Sequence, residues 1–174
     1  EDADTWSIPG HIGTGFDPNL IRLEDDRLLM VYTRADSAWA RKVRGRDGNS
    51  IFVKRSVDGG VTWSEDILVQ RSGLKPAYDP HFATDEKGNV HLFWRQDTDG
   101  NRWPDTIYHT YAADDTSWIA PKELLDADNM PEGYPIYYEM TGTPDGTVHA
   151  VIVWSKGPGS FRSELFYTWW DGTY

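Results

Sequence analysis

Tryptophan recurs along this chain at a nearly constant interval. Trp6-Ser7, Trp63-Ser64 and Trp118-Ile119 stand 57 and 55 residues apart. A period that long marks a supersecondary unit that cannot bury its apolar face alone and must stack on its neighbours. Helical periodicity is missing between these points. Short alternating or apolar runs instead lie between Gly, Asp, Asn and Pro clusters, which predicts an all-β chain. Three units, about 1–62, 63–117 and 118–174, fill the 174 residues.

The other columns repeat in step. Phe16-Asp17-Pro18, Tyr78-Asp79-Pro80 and Gly133-Tyr134-Pro135 each open a first strand, with proline at a strand edge where its missing N–H costs little. Second strands are expected at Leu28 to Tyr32, Val90 to Trp94 and Val148 to Trp154, and third strands at Ile51 to Arg55, Thr106 to Tyr111 and Glu164 to Trp169. Ile67 to Gln70 reads as a fourth strand, and Thr5 to Ile8 as the fourth strand of a preceding unit. Four strands per unit is what a propeller blade requires, and propellers usually have about 4 to 8 blades. The expectation is therefore a β-propeller of three four-stranded blades, half of a six-bladed ring, closed by a second copy or by the rest of a longer parent chain. Unclosed ends would expose strand edges and an apolar blade face.

Between the third and fourth strands of the first unit lies Ser56-Val57-Asp58-Gly59-Gly60-Val61-Thr62-Trp63. Glycine reaches positive φ without strain, and the Ser hydroxyl and Asp carboxylate can accept hydrogen bonds from amides inside the turn. With Ser56, Asp58, Gly60, Thr62 and Trp63 in place, the stretch resembles the Asp-box, or bacterial neuraminidase repeat, of sialidase-like β-propellers. The turns Asp114-Asp115-Thr116 and Trp170-Asp171-Gly172 are decayed versions of it. The resemblance implies that this turn is a structural staple on the face opposite the ligand, so Ser56 and Asp58 carry no chemistry.

Composition narrows the partners. Lys and Arg total 17 against 28 Asp and Glu, a net charge of −11, which argues against nucleic acid. No cysteine is present, so neither a disulfide framework nor a thiolate metal site exists, and the spacing of the five histidines and the many aspartates matches no common zinc or calcium motif. No cofactor is called for. No apolar run is long enough to span a membrane as a helix, and the start at Glu1 reads as a processed or excised product. A secreted or extracellular location, the periplasm included, is the expectation.

On the face opposite the turn, residues 34–46 hold five of the 17 basic residues in thirteen positions. The candidate ligand-binding residues are Arg34, Trp39, Arg41 and Arg44, joined by Arg95, Trp103 and His81 from the second unit. Guanidinium groups meet carboxylates in two-point geometry and indole covers the apolar face of a sugar, so an acidic glycan such as a sialic acid or a uronate fits both. The alternative is a solvated face in which these cations pair with Asp36, Asp47, Asp97, Asp99 and Asp105.

The resemblance extends to Leu28 to Tyr32 followed by Arg34, which look like the strand and arginine of sialidases. It implies that Asp36 or Asp47 is a candidate general acid/base. The family's arginine before the first-strand proline is replaced here by Phe16. Tyr137, Tyr138 and Glu139 have the residue types of a tyrosine nucleophile and its glutamate, but sit adjacent on one strand rather than on different blades. Core packing is the expected role of both tyrosines. His81 is a candidate base for a propeller polysaccharide lyase. The expected function is thus recognition of an acidic carbohydrate. Catalysis by a sialidase-type hydrolase or a lyase, or a structural propeller without ligand, are the alternatives.

Overall fold

A computed structural model describes residues 9–35, 48–73, 75–101, 103–114, 116–125, 130–157 and 162–172. Eleven strands and no helix occur among them. The first sheet contains β1 (Phe16–Arg22), β2 (Leu28–Ala35), β3 (Asn49–Ser56) and β4 (Ile67–Gln70); the second contains β5 (Ala77–Thr84), β6 (Val90–Gln96), β7 (Thr106–Ala112) and β8 (Lys122–Leu125). The third contains β9 (Tyr134–Gly142), β10 (Val148–Ser155) and β11 (Ser163–Trp170). All three are antiparallel meanders in sequence order, four-, four- and three-stranded among the described residues. β1 packs beside β5, and β5 beside β9, so the first strands lie together, as the innermost strands of successive blades do. The fourth strand expected at Thr5 to Ile8 lies outside the described residues.

The sheets stack because their central strands are apolar on the facing sides. Leu29, Val31, Ile51 and Val53 of the first blade bury against Ala77, Phe82, Val90, Leu92 and Trp94 of the second. A second core joins Ala83, Phe93 and Ile107 to Tyr138, Val148, Ile152, Trp154 and Trp170 of the third blade. β6 is therefore buried on both faces, which is why Val90-His91-Leu92-Phe93-Trp94 is almost continuously apolar. Each fully buried aliphatic side chain of this set contributes about 1.5–3 kcal/mol.

The second core also holds two histidines. His91 Nδ1 and His109 Nε2 are 3.0 Å apart, His91 Nε2 lies 3.4 Å from Asp85 Oδ2, and Trp170 packs edge-on against both rings. The corresponding column of the third blade has no covering sheet among the described residues. There His149, Tyr167 and Trp169 lie on the same face as Tyr137 and Val151, and Leu165, Tyr167 and Trp169 are each more than half exposed. Tyr138 is core, as expected, whereas Tyr137 points the other way and is 51% exposed, since neighbouring strand residues alternate between faces.

The turn at 56–63 is closed by its own side chains. Ser56 Oγ accepts from Gly60 N (2.8 Å) and donates to Asp58 Oδ1 (2.8 Å); Asp58 accepts from Thr62 N (2.9 Å) and Thr62 Oγ1 (2.6 Å). Trp63 Nε1 donates to Gly60 O at 3.2 Å. Gly59 and Gly60 carry φ of 70° and 91°, values that side chains resist. The hydrogen bonds from Thr62 and Ser56 hold the Asp58 carboxyl down at about 2. In the next blade Asp114 does the same work, accepting from Thr116 N and Ser117 N at 3.0 and 2.7 Å.

Candidate functional site

The first strands carry the strained part of the fold. β1 and β5 each bulge at their Asp-Pro pair, and Asp17 and Asp79 sit at φ of 51° and 46°. Positive φ in a residue that has a Cβ and precedes proline is disfavoured twice over. Such strain costs on the order of 1–3 kcal/mol and persists where surrounding bonds impose it. Here Asp79 is bound by an ion pair with Arg95 and by the Tyr138 hydroxyl, which donates to its carbonyl. Asp79 N lies 3.4 Å from Asp17 Oδ2, which also lies 3.4 Å from Thr33 Oγ1. In the third blade the positive φ falls on Gly133 instead, where a Cβ would come within 2.2 Å of the Ser155 carbonyl oxygen.

At the β5 bulge lies a cleft of about 290 Å³ between the second and third blades, lined by Asp79, His81, Arg95, Ile136, Tyr137 and Tyr138. Arg95 leaves β6, passes under the β5 bulge and donates through Nη1 to Pro135 O at 2.9 Å, while its Nη2 meets Asp79. Its Nε is buried without a partner. Burial pulls the Arg95 pKa below its ordinary value, and burial likewise lowers that of His81, against the pull of the Glu139 charge. Tyr138 is pushed up by burial; its hydroxyl also reaches Phe93 O at 3.0 Å. Tyr137 donates its hydroxyl to Glu139. The cleft thus offers a half-buried imidazole, a committed ion pair, a phenol–carboxylate pair and an aromatic wall.

An exposed aromatic platform stands beside it. Trp103, 45% exposed, packs on Tyr134 with ring centroids 5.1 Å apart and planes tilted by 30°. Tyr134 directly precedes the proline whose carbonyl receives Arg95. The loop that carries Trp103 is pinned by its own side chains: Asp105 accepts from Thr98 N (2.9 Å) and Thr98 Oγ1 (2.6 Å), Asp97 from Gly100 N (2.6 Å), and Asn101 from Trp103 N (2.8 Å).

Of the residues singled out in the sequence, His81 and Arg95 line the cleft together, and Trp103 stacks on Tyr134, the residue before Pro135. Arg34 joins neither. It forms an ion pair with Asp66, which also takes Lys54 Nζ (2.8 Å) and the Tyr32 hydroxyl, and its guanidinium carbon lies 4.4 Å above the Phe52 ring. Trp39, Arg41, Arg44, Asp36 and Asp47 lie outside the described residues. Sequence reasoning missed Asp79, Tyr134 and Asp66 as partners. Only the repeated Asp-Pro pair hinted at the first of them. Among the described residues no group of three or more His, Asp or Glu side chains is placed to hold a metal ion, and no helix is long and apolar enough to cross a membrane.

Stacked antiparallel meanders with their first strands together define a partial β-propeller, and its fold is of the sialidase-like kind. No protein-family model matches the chain, and no curated protein matches it in sequence. Solved structures do. The chain is similar to an α-L-arabinanase of Penicillium chrysogenum complexed with arabinobiose, with a TM-score of 0.64 and 18% identity over 90% of this chain and 46% of that one. It is similar to an α-L-arabinofuranosidase of Fusarium graminearum, with a TM-score of 0.58, 17% identity and the same coverages. A Hadza microbial sialidase matches at a TM-score of 0.55 and 19% identity, over 79% of this chain and 32% of that one. The chain spans less than half the length of each.

Proposed function

We propose that this chain recognises a carbohydrate as part of a carbohydrate-active propeller, seating a sugar on the Trp103–Tyr134 platform and in the adjoining cleft. The observation that carries this reading is the platform itself. An exposed indole backed by a second ring, on a loop tied down before any ligand arrives, is a surface for the apolar face of a sugar, next to polar groups for its hydroxyls. The arabinan- and sialoside-acting names of the structural neighbours support a glycan as the ligand.

An acidic glycan is the finer proposal, and it rests on the 34–46 loop. With Arg34 and Arg95 already paired, Arg41 and Arg44 are the residues that would meet a carboxylate there. Calorimetric titration against neutral and acidic oligosaccharides tests both levels. Trp103→Ala should weaken binding at least about fivefold, the size of a lost stacking contact, without changing thermal stability. Salt-sensitive affinity that Arg41→Ala and Arg44→Ala reduce would support the acidic ligand. Turnover of fluorogenic arabinofuranosides or sialosides, lost in Asp36→Ala or Asp47→Ala, would replace recognition with hydrolysis.

We also propose that further blades complete the ring, from a second copy or from the rest of a longer chain. The uncovered Leu165, Tyr167 and Trp169 face and the exposed Phe16 and Leu20 of β1 support this. The proposed place of work is outside the cell or in the periplasm. Confinement of the protein to the cytoplasmic fraction of its source cells would refute it.

A further inference from the structure

The cleft and the cationic loop ask different things of a ligand. Arg95 is the one cation lining the cleft among the described residues, and its charge is already paired with a carboxylate. Its Nη2 is held by Asp79 and its Nη1 by Pro135 O, and its Nε is buried. Two further carboxylates act on the same space. Asp17 reaches toward the Asp79 amide, and its charge is felt at Arg95 and Tyr138; Glu139 accepts from Tyr137, and its charge is felt at His81 and Tyr138. Two carboxylates, Asp79 and Asp17, therefore act on the one guanidinium and a third, Glu139, on the neighbouring His81, in a protein whose net charge is −11.

We infer that the cleft between the second and third blades takes a neutral sugar and turns away uronates and sialates. The Tyr137–Glu139 pair and the free side of Asp79 are acceptors and donors for hydroxyl groups, and the Tyr137 and Tyr138 rings border them. A sugar carboxylate brought into this space would lose water, meet a guanidinium whose charge Asp79 already offsets, and face like charges. The inference rests on the glycan reading above and narrows it to one class of residue for this cleft.

The test uses pairs of oligosaccharides that differ only in charge: galacturonan and mannuronan oligomers, each against its carboxyl-reduced neutral form, and sialyllactose against lactose. Each is titrated into the full chain and into the Arg41→Ala/Arg44→Ala double variant, which leaves the cleft as the proposed binding place. Within any pair that binds the double variant, the neutral member should bind about tenfold tighter at low salt, and raising the salt should narrow the gap. Glu139→Gln, which keeps the shape and removes a charge, should narrow it about threefold. Asp79→Asn should narrow it further by freeing Arg95, and asparagine tolerates the positive φ that this position demands. Equal or tighter binding of the acidic members to the double variant overturns the inference and leaves glycan recognition standing. Failure of every pair to bind the double variant overturns the inference, and failure to bind the unaltered chain as well overturns glycan recognition with it.

Discussion

Acidification should loosen the joint between the second and third blades well before it disturbs the turns. His109 lies in the core that joins them, 1% exposed, and burial, with the adjacent His91 adding, pushes its pKa down from 6.5 to about 3. Burial also lowers His91, against the pull of Asp85, whose carboxylate lies 3.4 Å from its Nε2. A histidine whose folded pKa is depressed binds its proton more readily in the unfolded chain. Its stabilising contribution is then complete above about pH 6.5 and is lost as the pH falls toward 3. At pH 4.5 the unfolded His109 is almost fully protonated and the folded one is not, a difference of two pH units at about 1.4 kcal/mol each, or about 2.7 kcal/mol. For a chain of this size that lowers Tm by roughly 5–10 °C. The carboxylates Asp58, Asp114 and Asp145, held at about 2, are also depressed, but their contribution is lost mainly below about pH 4, so from about pH 6.5 to 4.5 the histidine is the group of these that titrates. Urea unfolding at pH 7, 5.5 and 4.5 measures the slope. His109→Gln, which keeps a polar partner for His91 and cannot titrate, should flatten it by about one proton. An unchanged slope in that variant, or stability that does not vary from pH 7 to 4.5, would refute the reasoning.

The remaining predictions are structural. Ser56→Ala removes the buried oxygen that accepts from Gly60 N and donates to Asp58, and should cost about 1–2 kcal/mol in chemical denaturation, with no effect on glycan binding. A change in binding would move the turn from staple to site. Light scattering after size exclusion should give twice the chain mass if a second copy closes the ring. A monomer should bind a hydrophobic dye through the Leu165, Tyr167 and Trp169 face, and a monomer that does not would refute the exposure of that face.

Much of the fold was legible because its determinants are local. Strand alternation and turn chemistry act over a few residues, so Leu28 to Tyr32, Val90 to Trp94 and Ile67 to Gln70 fall within or on observed strands, and the 56–63 turn closes through the side chains that its sequence suggests. The candidate site was legible only as residue types. Arg34 stands two positions and Arg95 one position beyond the cores of equivalent second strands, so they face opposite sides of their sheets, and one is bound by Asp66 and the other by Asp79.

By itself, the sequence determined the all-β class, the three-unit period and the polar turns, since each follows from spacing and intrinsic backbone preference. The tertiary structure decided which charges are spent and which rings are exposed. The Asp-Pro bulge of β5 shifts the register of that strand, and Asp79 there meets Arg95 at the edge of the cleft. Stacking the blades buries His91 and His109, while the matching His149, Tyr167 and Trp169 lack a covering sheet among the described residues. Such pairings join residues far apart in sequence through strand register and sheet stacking, so no local pattern can specify them.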